Sequence, residues 1–244
     1  MLGNLFNEIL YRPIFNVLVF LYNIIPGHDF GIAIILLTVV IRIILFPILY
    51  KSTKSRLALS ALQPKIKEIQ QKFKTKEEQS RELMKTYKEH NVNPLSGCLP
   101  LVVQIVILFQ LYKVLIAILK SSGLTVLYPF IHNPGTINPS FLGIVDLAVP
   151  NLVIVVLAAI TQFISSKVMV KLSPPMPQTE NKKGINFQKA LNKQMIYLGP
   201  ILTILIGLRL PAGLSLYWLV SSALAVAQDY YFLNKFHGRN KKIS

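Results

Sequence analysis

Phe30-Gly-Ile-Ala-Ile-Ile-Leu-Leu-Thr-Val-Val-Ile-Arg-Ile-Ile-Leu-Phe-Pro-Ile-Leu-Tyr50 decides how the rest of the chain is read. About 20 apolar residues in a helix cross the hydrocarbon core of a bilayer. Arg42 is the only charged residue in the stretch. A guanidinium at mid-bilayer costs about 2.5–3.5 kcal/mol on insertion scales. Leu, Ile, Val and Phe each return about 0.3–0.6 kcal/mol, so the segment still inserts. The charge nevertheless needs water, an anion or a partner at depth.

The composition around this stretch agrees with it. The chain has 244 residues, 52% of them hydrophobic, with a mean hydropathy of +0.51. The apolar residues fall in long blocks, as in integral membrane proteins. Only helices and closed barrels satisfy their backbone inside lipid. The blocks predict an all-α polytopic membrane protein with five transmembrane helices, at 28–51, 94–119, 141–164, 195–209 and 213–233.

Charge gives the orientation. Residues 51–90 hold 11 Lys/Arg, 165–193 hold 6 and 232–244 hold 4, so three regions carry 21 of the 26 basic residues. Basic loops stay on the cytoplasmic side. Five spans place all three inside if the N-terminus is outside and the C-terminus is in the cytoplasm. The external loop 120–140 and the short turn 209–212 then hold only Lys120 and Arg209.

The remaining segments follow. Residues 14–25 are apolar but too short to cross about 30 Å of hydrocarbon, and Pro13 and Pro26 bracket them. Residues 1–27 therefore read as an interfacial amphipathic helix on the outer face. Residues 52–93 read as a cytoplasmic helical hairpin. Leu62, Ile66, Ile69 and Phe73 form one stripe, and Leu83, Met84 and Tyr87 form the facing one. Thr75-Lys-Glu-Glu78 reads as a capping box between the two helices. Residues 165–194 form a cytoplasmic loop with a Pro-rich linker, and 234–244 form a basic tail.

Recognisable catalytic constellations are missing from the sequence. Cys98 is the only cysteine, and there is no His-Glu-x-x-His, so no metal is expected. No phosphate loop is present, and no pair of acids lies at one depth in two spans. The expectation is a protein that is not an enzyme and carries no cofactor.

What the spans do contain is neutral polarity around one cation. Thr38 and Arg42 are four apart and share a helix face. Gln104 and Gln110 lie in the second span and Gln162 in the third. Ser215, Tyr217, Trp218, Ser221, Ser222 and Gln228 lie in the fifth. Each has a plain reading, since Ser and Thr bond their own helix and Tyr and Trp line interfaces. Arg42 lies roughly 18 Å below the outer edge, Asp146 roughly 7 Å and Asp229 roughly 24 Å. Asp229 is thus a candidate ion-pair partner. The alternative is that Arg42 faces a water-filled cavity that draws in anionic groups.

Four motifs are similar to those of a known family. Gly31–Pro47 resembles the first core span of the YidC/Oxa/Alb membrane protein insertases. Leu62-Gln-Pro-Lys-Ile-Lys67 resembles the start of their cytoplasmic hairpin. Asn93-Pro-Leu-Ser-Gly-Cys-Leu-Pro100, followed by Gln104, resembles the approach to their second core span. Pro211-Ala-Gly-Leu-Ser-Leu-Tyr-Trp218 resembles the start of their last. The matches keep the family's order over most of residues 28–230.

The resemblance implies five helices around a hydrophilic groove, open to the cytoplasm and to lipid and closed to the outside. It places Arg42, Thr38, Gln104, Tyr217 and Trp218 in that groove; Gln162 joins them on polarity alone. It implies an insertase and chaperone working without nucleotide in a plasma (inner) membrane. Its partners would be nascent membrane proteins, the lipid bilayer, the Sec translocon and the ribosome. The alternative from another class is a small secondary transporter or anion channel with Arg42 as the binding charge. Transporters commonly show internal repeats, and the Arg42 segment is not repeated.

Overall fold

The computed structural model describes residues 7–73, 75–93, 96, 99–120, 126–172 and 196–240. Those residues are mostly helical. A π-helical turn, Asn7–Tyr11, leads into α1 (Arg12–Ile24), with Pro13 in its first turn, where a missing N–H costs nothing. Then come α2 (Phe30–Ala61), α3 (Gln63–Lys72), α4 (Lys76–Glu89), α5 (Leu99–Leu119), α6 (Leu152–Leu172), α7 (Ile196–Gly207) and α8 (Ala212–Asn240). A two-stranded antiparallel pair, β1 (Ser140–Phe141) and β2 (Val145–Asp146), lies between α5 and α6. Among the described residues, α2, α5 and the 152–170 part of α6 are long and apolar enough to cross a bilayer.

The chain divides into two compact units. The first comprises residues 1–45, 101–162 and 200–225. Its core joins Ile14, Phe15, Leu18, Val19 and Tyr22 of α1 to Ile34 and Leu37 of α2, Leu111, Val114 and Leu115 of α5, and Leu214 and Tyr217 of α8. Ile14, Phe15, Leu18, Val19 and Tyr22 of α1, the segment read from sequence as interfacial, pack on protein, while Phe20 and Ile24 are exposed. Asn16 also ties α1 to the chain after α5: its Nδ2 donates to Val126 O at 3.1 Å and its Oδ1 accepts from Tyr128 N at 2.6 Å.

The outward faces of this unit are apolar. Leu101, Val102, Ile105 and Phe109 of α5 are exposed at helical spacing, and so are Leu152, Val153, Val156, Leu157 and Ile160 of α6. Stripes of this kind form the surface that lipid covers.

The second unit comprises residues 46–100, 163–199 and 226–244. Here α2 runs on past Tyr50 to Ala61, so the hairpin proper is α3 and α4. Thr75 caps α4, its Oγ1 accepting from Glu78 N at 3.3 Å. Ile66 and Ile69 are buried, but Met84 is exposed and Thr86 takes the buried place expected of it. Ser96 holds the chain after α4 against α2, accepting from Ser52 Oγ at 2.6 Å and donating to Ser55 Oγ at 2.8 Å. Near the end of α2, Arg56 lies 3.6 Å from Asp229 of α8, and both are buried.

The third and last spans also differ from the sequence reading. The third span, expected at 141–164, is the helix Leu152–Leu172. The turn at Gly143 and the Pro150-Asn151 pair stop helix formation, and Asn151 Oδ1 caps the true start by accepting from Ile154 N at 3.1 Å. The last helix continues through Asn240, into the segment read as a tail from 234. The Pro-rich linker lies outside the described residues, as do 121–125 and 241–244.

Candidate functional site

The polar residues of the first unit converge on one face of α8. Tyr217, Trp218, Ser221 and Ser222 are spaced by one, three and one, which stacks them on adjacent turns. Arg42 of α2 reaches this face: its Nη2 donates to Ser221 O at 2.6 Å and to Ser221 Oγ at 2.8 Å. Ser221 Oγ donates onward to Gln104 Oε1 of α5 at 3.2 Å. One turn of side chains further, Ser222 Oγ and Trp218 Nε1 both donate to Gln162 Oε1 of α6, at 2.6 and 3.3 Å. Tyr217 is 2% exposed, and its phenol lies beside the side chains of Ser221 and Gln104. Four helices are thus stitched together by hydrogen bonds through α8.

Of the sequence-predicted site residues, Arg42, Gln104, Gln162, Tyr217 and Trp218 are brought together. Thr38 sits one turn from Arg42, fully buried, with its hydroxyl donating to Ile34 O of its own helix at 2.7 Å. It is not joined to the network. The shift of α6 changes the meaning of Gln162. Counted from Leu152 it lies roughly 15 Å into its helix, near the middle rather than at the inner end. Asp146 leaves the membrane helix altogether and caps its own loop through Ala148 N at 2.8 Å. Ser221 and Ser222 are the connectors. Gln110, although polar and in the same helix as Gln104, is buried with its Oε1 lacking a hydrogen-bond partner among the described residues.

The two acceptors that Ser221 offers Arg42 are a backbone carbonyl and a hydroxyl, and they orient the guanidinium. Arg42, Gln104 and Gln162 are half-buried, while Trp218 and Tyr217 are buried. The face therefore combines a positive charge, two amides and two aromatic rings.

Comparisons with known proteins identify relatives of the chain. The family model described as 60Kd inner membrane protein matches residues 20–240. A membrane protein insertase YidC of Fusobacterium nucleatum is 34% identical, covering 93% of this chain and 98% of the relative. A membrane protein insertase YidC of Clostridium tetani is 35% identical over 88% of each chain. Among solved structures, the "Active YidC insertase crystal structure with the first transmembrane domain resolved" superposes with a TM-score of 0.57 at 27% identity. That alignment covers 91% of this chain and 46% of the other, so the chain spans a little under half the length of that structure.

Proposed function

The chain belongs to the YidC family of membrane protein insertases, an inner membrane family, and from that premise we propose that it inserts nascent membrane proteins through a polar groove centred on Arg42. Five spans run with the N-terminus outside and the C-terminus in the cytoplasm: α2, α5, α6, α7 and α8. A short hydrophilic tail of the client enters the groove from the cytoplasm. Arg42 holds its acidic groups for a moment, and Gln104, Gln162 and the serines replace some of its water. The tail then crosses a shortened stretch of hydrocarbon. The client's apolar segment partitions into lipid along the exposed stripes of α5 and α6, driven by burial of apolar area. The protein acts as a chaperone in the same way, and no nucleotide is consumed. The basic hairpin and tail suit the ribosome electrostatically, and the Sec translocon is a further partner.

The observation that carries this reading is the hydrogen-bonded set linking α2, α5, α6 and α8 around one cation inside membrane helices. Relatives named as insertases along nearly their whole length favour it over the anion-transporter alternative.

The test is insertion into liposomes of a client with an acidic translocated tail. Arg42→Glu abolishes it, because the same position then repels the tail. Arg42→Lys keeps part of it, because the charge remains while the fork of donors is lost. Equal insertion by wild type and Arg42→Glu at equal protein levels contradicts the assignment.

A further inference from the structure

The segment between α5 and α6 carries a feature that the groove does not use. β1 and β2 are joined by a tight turn whose two central residues, Leu142 and Gly143, have φ of 53° and 69°. Ile144 N closes the turn on Phe141 O at 3.0 Å. Asn, Asp and Gly are the residues that such positions favour; a leucine there is strained. Leu142 is 59% exposed and Ile144 is 84% exposed. Strain and exposed apolar surface at one tip are both unfavourable in water.

The hairpin is held firmly where α2, α6 and α8 begin. Leu142 N donates to Asp29 Oδ2 at 2.5 Å, and Oδ1 of the same Asp29 caps α2 by accepting from Ile32 N at 2.8 Å. Phe141 lies so close to Gly31 that a methyl group there would overlap its ring. On the other side, Leu147 O and Val149 O accept from Gly213 N and Ala212 N of α8 at 3.1 and 3.0 Å. From the hairpin, apolar exposure continues through Val149 into Leu152, Val153, Val156 and Leu157, the lipid-facing stripe of α6.

We propose that the hairpin Ser140–Asp146 is an interfacial anchor, its tip residues Leu142 and Ile144 lodged in the headgroup–acyl boundary of the leaflet in which α2, α6 and α8 begin. The occupant of this apolar tip is lipid, because the tip stands at the level of the helix starts and extends a face that lipid already covers. Apolar side chains gain by burial at that boundary, and the polar hairpin backbone stays within reach of water there. The anchor fixes the depth of Asp29, and through it the start of the helix that carries Arg42. This inference stands on the hairpin alone and is independent of the groove.

The test uses full-length protein with Cys98→Ser and Ile144→Cys, labelled with a nitroxide and reconstituted in phosphatidylethanolamine–phosphatidylglycerol liposomes. Oxygen partitions into lipid and a nickel chelate into water, so the ratio of their effects on the label reports depth. Thr136→Cys in the same loop serves as the aqueous comparison and Val153→Cys on α6 as the lipid one. A label at 144 gives an oxygen-to-nickel ratio several-fold above that at 136 and close to that at 153. A ratio equal to that at 136 overturns the proposal. So does label–label broadening at 144 that disappears on dilution with unlabelled protein, because a second copy would then cover the tip. Leu142→Cys provides an independent second label with the same two readings.

Discussion

A guanidinium halfway along a membrane helix needs acceptors, and Ser221 supplies two of them at 2.6 and 2.8 Å. The charge at Arg42 was legible from sequence, because one arginine in an apolar run is costly enough to need a reason. The role of Ser221 was not. A serine in a membrane helix ordinarily bonds the carbonyl four residues back, as Thr38 does here, and nothing local distinguishes the two cases. Arg56 shows the opposite limit. Counted among the basic residues of 51–90, it reads as a solvated cytoplasmic charge, yet it is buried against Asp229. Its Nη2 also donates to Thr53 Oγ1 at 2.8 Å, while Nε and Nη1 have no partner among the described residues. Removing one member of such a pair strands a buried charge, at a cost of about 3–5 kcal/mol, whereas replacing both by apolar residues is far milder. Asp229→Ala therefore lowers the midpoint of thermal unfolding in detergent sharply. Asp229→Leu combined with Arg56→Met recovers most of the loss. A double variant as unstable as Asp229→Ala would contradict the pairing.

Among elements, α6 separates what hydropathy reveals from what backbone geometry decides. Residues 141–149 are apolar enough to pass as the start of a span. A left-handed turn at Leu142–Gly143, the restriction imposed by Pro150 and the Asn151 cap make them a hairpin and a helix entrance instead. Those signals were in the sequence, but the hydrophobic run outweighed them. The hairpin in turn depends on Gly31. Alanine is ordinarily the better helix residue by about 1 kcal/mol. At 31 its methyl group meets the Phe141 ring, so overpacking wins and Gly31→Ala destabilises by about 1–3 kcal/mol. Thermal unfolding measures this, and adding Phe141→Ala relieves part of the loss. A stabilising Gly31→Ala would show that the hairpin is not seated on α2.

For the whole molecule, the long apolar helices, the helical hairpin and the polar residues that meet on α8 were readable from hydropathy and charge, because the bilayer imposes few and strong rules. The connectivity inside the cluster was not, since it depends on which faces of four helices turn toward one another. α8 provides that information: Tyr217, Trp218, Ser221 and Ser222 form one face, and Arg42, Gln104 and Gln162 arrive at it from three other helices. A groove built in this way works only if water and client reach it from the cytoplasm. The most direct measurement places a cysteine at Gln104 in a Cys98→Ser background and adds a membrane-impermeant maleimide to sealed vesicles of each orientation. The proposed groove gives modification from the cytoplasmic side, slowed when a client with an acidic tail is present, and none from the outside. Failure to react from the cytoplasmic side, in protein that reacts once denatured, would mean a dry helix junction around Arg42 and would contradict the insertion mechanism.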